Sequence, residues 1–132
     1  MFSKILIIGK GSISYKHKNI LEKQFKNIEI IHVGSRYFFK NLSEFTKQEY
    51  KITIIANESS AHIKTFKNIQ KYSKFIFIEK PISNNYFKIK NFFRGKNINF
   101  PRLWIGYNFL FSKKFLKLKN EIRKSCYGKL IS

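Results

Sequence analysis

Aspartate is absent from this 132-residue chain, so its seven acidic residues are all glutamates. Cysteine occurs once, at Cys126, which excludes an internal disulfide and suits a reducing compartment. One cysteine and three dispersed histidines leave no metal-binding cluster in the sequence. No apolar run approaches the length that crosses a bilayer, and the first, at residues 5–8, is too short for a secretory signal. Disulfide scaffolds, metalloproteins and membrane proteins are thereby set aside, and a soluble cytoplasmic domain is expected. Low-complexity linkers and internal repeats are also missing.

Positive charge is in large excess, with 27 Lys and Arg giving a net +20. A basic surface attracts nucleic acid or acidic lipid. Against that reading, the lysines are spread along the whole chain, and no block is longer than Lys113-Lys114. There is no arginine cluster and no RNP-like or zinc-finger pattern. Lys, Asn, Ile, Phe and Tyr are in excess together, as an AT-rich coding sequence produces. Charge by composition is therefore favoured over a nucleic-acid surface. With 43% hydrophobic and 17% aromatic residues the chain fills one core and is not disordered.

The chain is organised around residues 5–17, ILIIGKGSISYKH. Residues 5–8 form a short β-branched run suited to a strand buried on both faces. Gly9, Gly11 and Ser14 follow in the spacing G-x-G-x-x-S, and Ile13, Ile20, Leu21 and Phe25 recur at helical intervals. Strand, glycine turn and helix are the context of a dinucleotide-binding fingerprint. Gly9 permits the tight turn, and Gly11 lets bare backbone approach a pyrophosphate. Ser12 and Ile13 open the helix, whose free N–H groups and dipole favour phosphate. Gly9, Gly11, Ser12 and Ile13 are cofactor-binding candidates. The bland alternative is a structural turn after a strand.

A second strand is expected at 29–33, followed by Gly34, Ser35 and Arg36. In dinucleotide folds this strand end meets the adenosine ribose, about 20 residues beyond the glycines. No acidic residue is available there for a 2′-hydroxyl. Ser35 and Arg36 instead suit a 2′-phosphate, favouring NADP over NAD, with a solvated arginine in a turn as the alternative. Residues 37–50 are too few for a crossover and a full strand. A shortened edge is expected, with a brief strand at 38–40 and a helical turn near 43–47.

Further strands are expected at 52–56, 75–78 and 103–107, and another could begin at 128–131. Helices should carry stripes of Ile63, Phe66 and Ile69, then Tyr86, Ile89 and Phe93, then Phe115, Leu118 and Ile122. Ser59 or Ser60 is expected to cap the first of these and Gly95 to end the second. Alternating strands and helices predict an α/β fold, a Rossmann-like doubly wound parallel sheet shortened between its second and fourth strands. Trp104 is expected in the core. His17, between Ile13 and Ile20, reads as a packed helix histidine, and His62 as structural.

Four stretches carry a resemblance in order: 9–17 (GKGSISYKH), 54–62 (IIANESSAH), 77–83 (FIEKPIS) and 105–111 (IGYNFLF), with 127–131 (YGKLI) beyond. The chain resembles the N-terminal Rossmann domain of the Gfo/Idh/MocA family, the glucose–fructose oxidoreductases and inositol dehydrogenases. The resemblance covers nearly the whole chain. It implies NADP or NAD as cofactor and hydride transfer with a sugar or polyol substrate.

The EKP segment also makes chemical sense beside a nicotinamide. Lys80, the catalytic candidate, could hydrogen-bond a substrate hydroxyl and stabilise alkoxide charge. Glu79 could orient it, and Pro81 restricts it to an extended conformation. Ala56, Asn57, Glu79, Pro81, Tyr107 and Asn108 complete the cofactor-binding candidates. Departures from the family are equally specific. Asn57-Glu58 replaces the usual Thr-Pro, putting a carboxylate near the pocket, and Leu110 stands where many members have Arg.

The chain ends at Ser132, where the family's second domain would begin. Residues 1–110 are therefore read as the dinucleotide-binding domain and 111–132 as a connecting helix leading to a missing C-terminal domain. That domain carries the family's usual catalytic Asp and His, most substrate contacts and the oligomer interface. A truncated frame, an excised domain or half of a split protein are the expectations. The partners are then a nicotinamide dinucleotide and, with the second domain supplied, a sugar-like substrate. A homo-oligomer or pairing with a separate half is also expected. The rival functions are a basic nucleic-acid-binding module and a non-catalytic remnant that pairs with another subunit.

Overall fold

The apolar runs at 5–8, 29–33, 52–56, 75–78 and 103–107 each carry a strand. The computed structural model describes residues 3–94, 102–107 and 112–124. Its strands are β1 (Ser3–Ile8), β2 (Ile28–Val33), β3 (Tyr50–Ile55), β4 (Ser73–Ile78) and β5 (Leu103–Ile105). Its helices are α1 (Ser12–Gln24), α2 (Ser35–Lys40), α3 (Leu42–Phe45), α4 (His62–Ile69), α5 (Tyr86–Arg94) and α6 (Lys113–Arg123). The strands form one parallel sheet in the order β2-β1-β3-β4-β5. The expected Gly95 cap and the strand at 128–131 lie outside the described residues, as does Cys126.

The buried strand residues explain the layering. Ile5, Leu6, Ile7 and Ile8 are all fully buried, so both faces of β1 are covered. Leu6 and Ile8 join Ile55, Ile76, Ile78 and Leu103 in the larger core, under Phe38, Phe45, Phe66 and Phe92 from α2 to α5. Ile5 and Ile7 join Ile54 and Ala56 on the opposite face, where Leu21 of α1 packs. Each such side chain withdrawn from water contributes about 1.5–3 kcal/mol. From β1 the chain moves out to β2, then crosses back over β1 to build β3, β4 and β5. This reversal puts the topological switch point between the carboxyl ends of β1 and β3.

The connection from β2 to β3 is short, as expected, but the brief strand at 38–40 is a helix. A strand would send Phe38 and Phe39 to opposite faces. In α2 Phe38 is fully buried, Phe39 packs beside it, and the Phe38 and Phe45 rings lie 5.2 Å apart. With no further strand there, β2 remains the edge of the sheet.

Other local expectations shift too. Phe66 and Ile69 line α4 as predicted, but α5 buries Phe92 while Tyr86 is 68% exposed and Phe93 44%. In α1 the predicted stripe is only partly inward: Leu21 packs on the sheet, whereas Ile13, Ile20 and Phe25 are exposed. Trp104 is 59% exposed, because it shares a face with Phe77 beyond the reach of α1. Neither Ser59 nor Ser60 caps α4, whose N-cap is Ala61. Asn85 caps α5 instead, its Oδ1 accepting from the Lys88 N–H at 3.0 Å. The helix carrying Phe115, Leu118 and Ile122 is present as α6, and none of its residues is buried.

Packing of α5 gives a direct check. Phe92→Ala should cost about 3–5 kcal/mol, by emptying a site where its ring meets Phe66 at 5.2 Å. Tyr86→Ala should cost less than about 1 kcal/mol. Urea melts of the two variants reverse in order if Tyr86 lies on the inward stripe.

Candidate functional site

The carboxyl ends of the strands are tied into one line by backbone hydrogen bonds. The residue following each of β1, β3, β4 and β5 donates to the last carbonyl of a neighbouring strand. Gly9 N–H donates to Val33 O (2.8 Å), Ala56 to Ile8 O (2.8 Å), Glu79 to Ile55 O (2.9 Å) and Gly106 to Ile78 O (2.9 Å). Gly9, Ala56, Glu79 and Gly106 therefore share one rim.

Gly9 lies at the switch point with φ +139°, and a Cβ there would sit 2.2 Å from Ala56 O. Only glycine satisfies both the backbone conformation and that contact. Gly11 is different. As the N-cap of α1 it has φ −79° and ψ 168°, which any residue adopts, and a Cβ there would meet nothing within 4 Å. Nothing in the described protein demands a glycine at this position. Ser12 and Ile13 continue from it as the exposed first turn of α1.

Behind the turn, Ser14 is fully buried, and its Oγ donates to Gly11 O at 2.7 Å. The Nε2–H of His32, from β2, donates to Gly9 O at 2.7 Å and lies 3.2 Å from Ser14 Oγ. Tyr15 packs edge-on against the His32 ring. Where a third glycine would pack, Ser14 thus contributes a hydrogen bond, and His32 fixes the turn from the neighbouring strand.

Ser35 and Arg36 open α2 at the end of β2, beside the glycine turn, since a Cβ on Gly34 would lie 3.3 Å from Lys10 Cγ. The Ser35 hydroxyl is not free: it donates to Glu58 Oε1 at 3.0 Å and accepts from Asn57 Nδ2 at 3.1 Å. Asn57 Nδ2 also donates to Thr65 Oγ1 at 2.9 Å, while its Oδ1 is buried without a partner. Arg36 makes no ion pair or side-chain hydrogen bond among the described residues.

Glu79 is held on both oxygens. His17 Nε2 lies 2.6 Å from its Oε1, and the Lys80 N–H donates to Oε2 at 3.2 Å. Gly106 leaves room for this, because a Cβ there would be 2.9 Å from the Phe77 ring and 3.2 Å from Glu79 Oε2. His17 also meets the Phe77 ring edge-on at 5.3 Å. It is therefore a carboxylate partner rather than a packed member of the Ile13–Ile20 stripe.

The Lys80 ammonium is exposed and has no partner among the described residues, and the Lys80–Pro81 peptide is cis. Tyr107 follows β5 and is 46% exposed. Asn108 and Leu110 lie outside the described residues. His62 is buried, with Nδ1 2.9 Å from Pro81 O and Nε2 2.9 Å from Asn57 O. A neutral ring donates to one of these carbonyls and a protonated ring to both. Either way it joins the loops after β3 and β4.

The structure thus brings Gly9 to Ala56, Ser35 to Asn57, and Glu79 to the Lys80 backbone, and it leaves Arg36 and Tyr107 apart. His17, His32 and Glu58 were not among the predicted site residues. Glu58 was signalled by its departure from the resemblance and His17 by its place at the end of the first matching stretch; His32 gave no signal beyond its spacing from the glycines. Among the described residues no group of three His, Cys, Asp or Glu could hold a metal, and no helix is long and apolar enough to cross a membrane.

Burial pushes the His32 imidazole below its ordinary value of 6.5, with Lys10 and Lys18 acting the same way and the Gly9 hydrogen bond opposing. As pH falls through 6.5 the unfolded chain takes up a proton that the folded chain resists. The stability that His32 contributes is present above that pH and declines below it, down to the lowered folded value. Thermal melts between pH 7.5 and 5 should therefore show a smaller acid slope for His32→Gln than for the parent. Equal slopes would mean that His32 titrates alike folded and unfolded.

No protein-family model matches the chain, and no curated protein sequence matches it. Solved structures do. The scyllo-inositol dehydrogenase from Lactobacillus casei with bound NAD(H) and scyllo-inositol superposes with a TM-score of 0.70 at 14% identity, covering 98% of this chain and 43% of that one. The WlbA dehydrogenase from Bordetella pertussis, in complex with NADH and UDP-GlcNAcA, gives 0.70 at 14% identity, covering 98% and 45%. The Y186F mutant of KijD10, a 3-ketoreductase from Actinomadura kijaniata in complex with TDP-benzene and NADP, gives 0.66 at 11%, covering 98% and 45%. At such identities the likeness shows the fold, a Rossmann-type parallel α/β domain. The chain spans less than half the length of these neighbours.

Proposed function

We propose that this chain is the nucleotide-binding part of a nicotinamide-dependent oxidoreductase of the Gfo/Idh/MocA type, acting on a sugar or polyol. The observation that carries this is Gly11. It sits at a helix N-terminus beside the switch point, in a conformation open to any residue, with empty space where a Cβ would be. Space there suits a ligand, and the free N–H groups at the start of α1 suit a pyrophosphate. The neighbours with NAD(H), NADH and NADP bound support the same class of cofactor.

In this reading Gly9, Gly11, Ser12 and Ile13 hold the pyrophosphate, and Ser35 and Arg36 lie at the adenosine end. Ala56, Asn57, Glu79, Pro81 and Tyr107 surround the remainder of the cofactor. When bound, the nicotinamide supplies a hydride acceptor or donor. Lys80 hydrogen-bonds the reacting oxygen and stabilises its negative charge. Glu79, clamped by His17, fixes the backbone N–H of Lys80 and so positions that lysine. The neighbours are more than twice as long as this chain, and a substrate domain of that kind would complete catalysis and exclude water.

Two glycine variants test the proposal together. Gly11→Val should weaken NADH and NADPH binding by roughly 10-fold or more while leaving the melting temperature nearly unchanged, because a Cβ there lies in open space. Gly9→Ala should cost about 2–4 kcal/mol of stability through strain and the Ala56 clash. Titrations followed by nicotinamide fluorescence decide it. Absence of saturable binding to the parent chain, or parent-like binding by Gly11→Val, would refute the dinucleotide reading.

A further inference from the structure

We propose that Glu58, reaching across from the loop after β3, selects an unphosphorylated adenosine ribose, so that the site takes NAD(H) in preference to NADP(H). The inference rests on the dinucleotide reading above. β2 itself offers no acid, and Ser35 with Arg36 would suit a 2′-phosphate. The structure changes that balance, because the Ser35 hydroxyl donates its hydrogen to Glu58 Oε1 at 3.0 Å. A carboxylate therefore stands at the end of β2 after all, delivered from another strand.

Its position is built rather than incidental. Asn57 Nδ2 donates to Ser35 Oγ and to Thr65 Oγ1, joining α2 to α4 beside the carboxylate. His62 Nε2 lies 2.9 Å from the Asn57 carbonyl at the foot of the same loop. Val33 O, bonded to Gly9 N–H, keeps the end of β2 against the glycine turn, so Ser35 is a short step from the pyrophosphate position. A ribose 2′-hydroxyl can donate to Glu58 alongside Ser35. A 2′-phosphate has no hydrogen to donate when ionised, and it would place like charges in contact.

Lys10 and Arg36 are the opposing charges at this end. Lys10 lies against Gly34, with its ammonium over the Tyr15 ring, and Arg36 is the second residue of α2. Both attract phosphate, so removing the carboxylate should uncover their preference. Glu58 is exposed, and Glu58→Gln keeps its size, so folding should be retained.

The experiment is a pair of binding titrations, NADH and NADPH, on the parent chain and on Glu58→Gln at physiological salt, with circular dichroism as the folding check. The parent should bind NADH roughly 10-fold tighter or better, and Glu58→Gln should bring the two within about threefold, chiefly by tightening NADPH. Equal or tighter NADPH binding by the parent overturns the proposal, as does an unchanged ratio in the variant. Failure of both nucleotides to bind the parent overturns the dinucleotide reading itself and this inference with it. Binding without discrimination overturns this inference alone.

Discussion

The backbone of Gly9 lies against the carbonyl of Ala56 so closely that no side chain could intervene, with a Cβ falling 2.2 Å from that oxygen. The contact draws together the carboxyl ends of two strands whose connections run in opposite directions. Once they are joined, the rest of the rim has little freedom. The ladder continues by one residue through Ala56, Glu79 and Gly106. The start of α1, the Asn57-Glu58 loop and the Glu79-Lys80-Pro81 segment consequently face one another. The chemistry proposed for this chain depends on that alignment, since each group comes from a different strand.

Histidine does most of the stitching. All three histidines lie at this rim, and each joins segments far apart in the chain. His17 meets Glu79, His32 holds Gly9 O, and His62 lies between Asn57 O and Pro81 O. A chain with net charge +20 gains little from placing further ammonium groups against buried carbonyls. At His32 a neutral imidazole N–H satisfies the Gly9 carbonyl without the cost of desolvating a full charge. The downward pull of burial on His32 fits a ring held neutral behind the turn.

Strands were legible in the sequence because four- and five-residue apolar runs between turn residues have few other structures open to them. The glycine turn was legible for a similar reason, since its spacing and its flanking elements agree. Helix faces were not. Aromatic and β-branched residues are so abundant that α5 carries Tyr86, Phe87, Ile89, Phe92 and Phe93, and periodicity alone cannot choose which of them point inward. Packing against Phe66 selects Phe92. Trp104 was read as core from its chemistry, yet exposure is decided by whether a helix covers its side of β5. The site pairs were hidden for another reason: His17 and Glu79 are 62 residues apart, and Ser35 and Glu58 are 23 apart. No local pattern encodes such a meeting; the strand order does.

The same strand order bears on how so basic a chain could choose among anions. A field from 27 cations attracts every phosphate ligand, and it attracts the more highly charged one more strongly. Left to that field, the site would favour the nucleotide with the extra phosphate. Screening confines long-range attraction to roughly 8–10 Å at ordinary salt, whereas a carboxylate at hydrogen-bond range acts with little screening. Only a short-range acid can reverse the bias of the whole surface. With no aspartate in the chain and seven glutamates in all, two of those glutamates stand at this rim, each held by a hydrogen bond from another segment. In the proposed reading Glu79 stands beside the reacting end and Glu58 beside the adenosine end, which would put the scarce negative charge where a distinction between ligands has to be made.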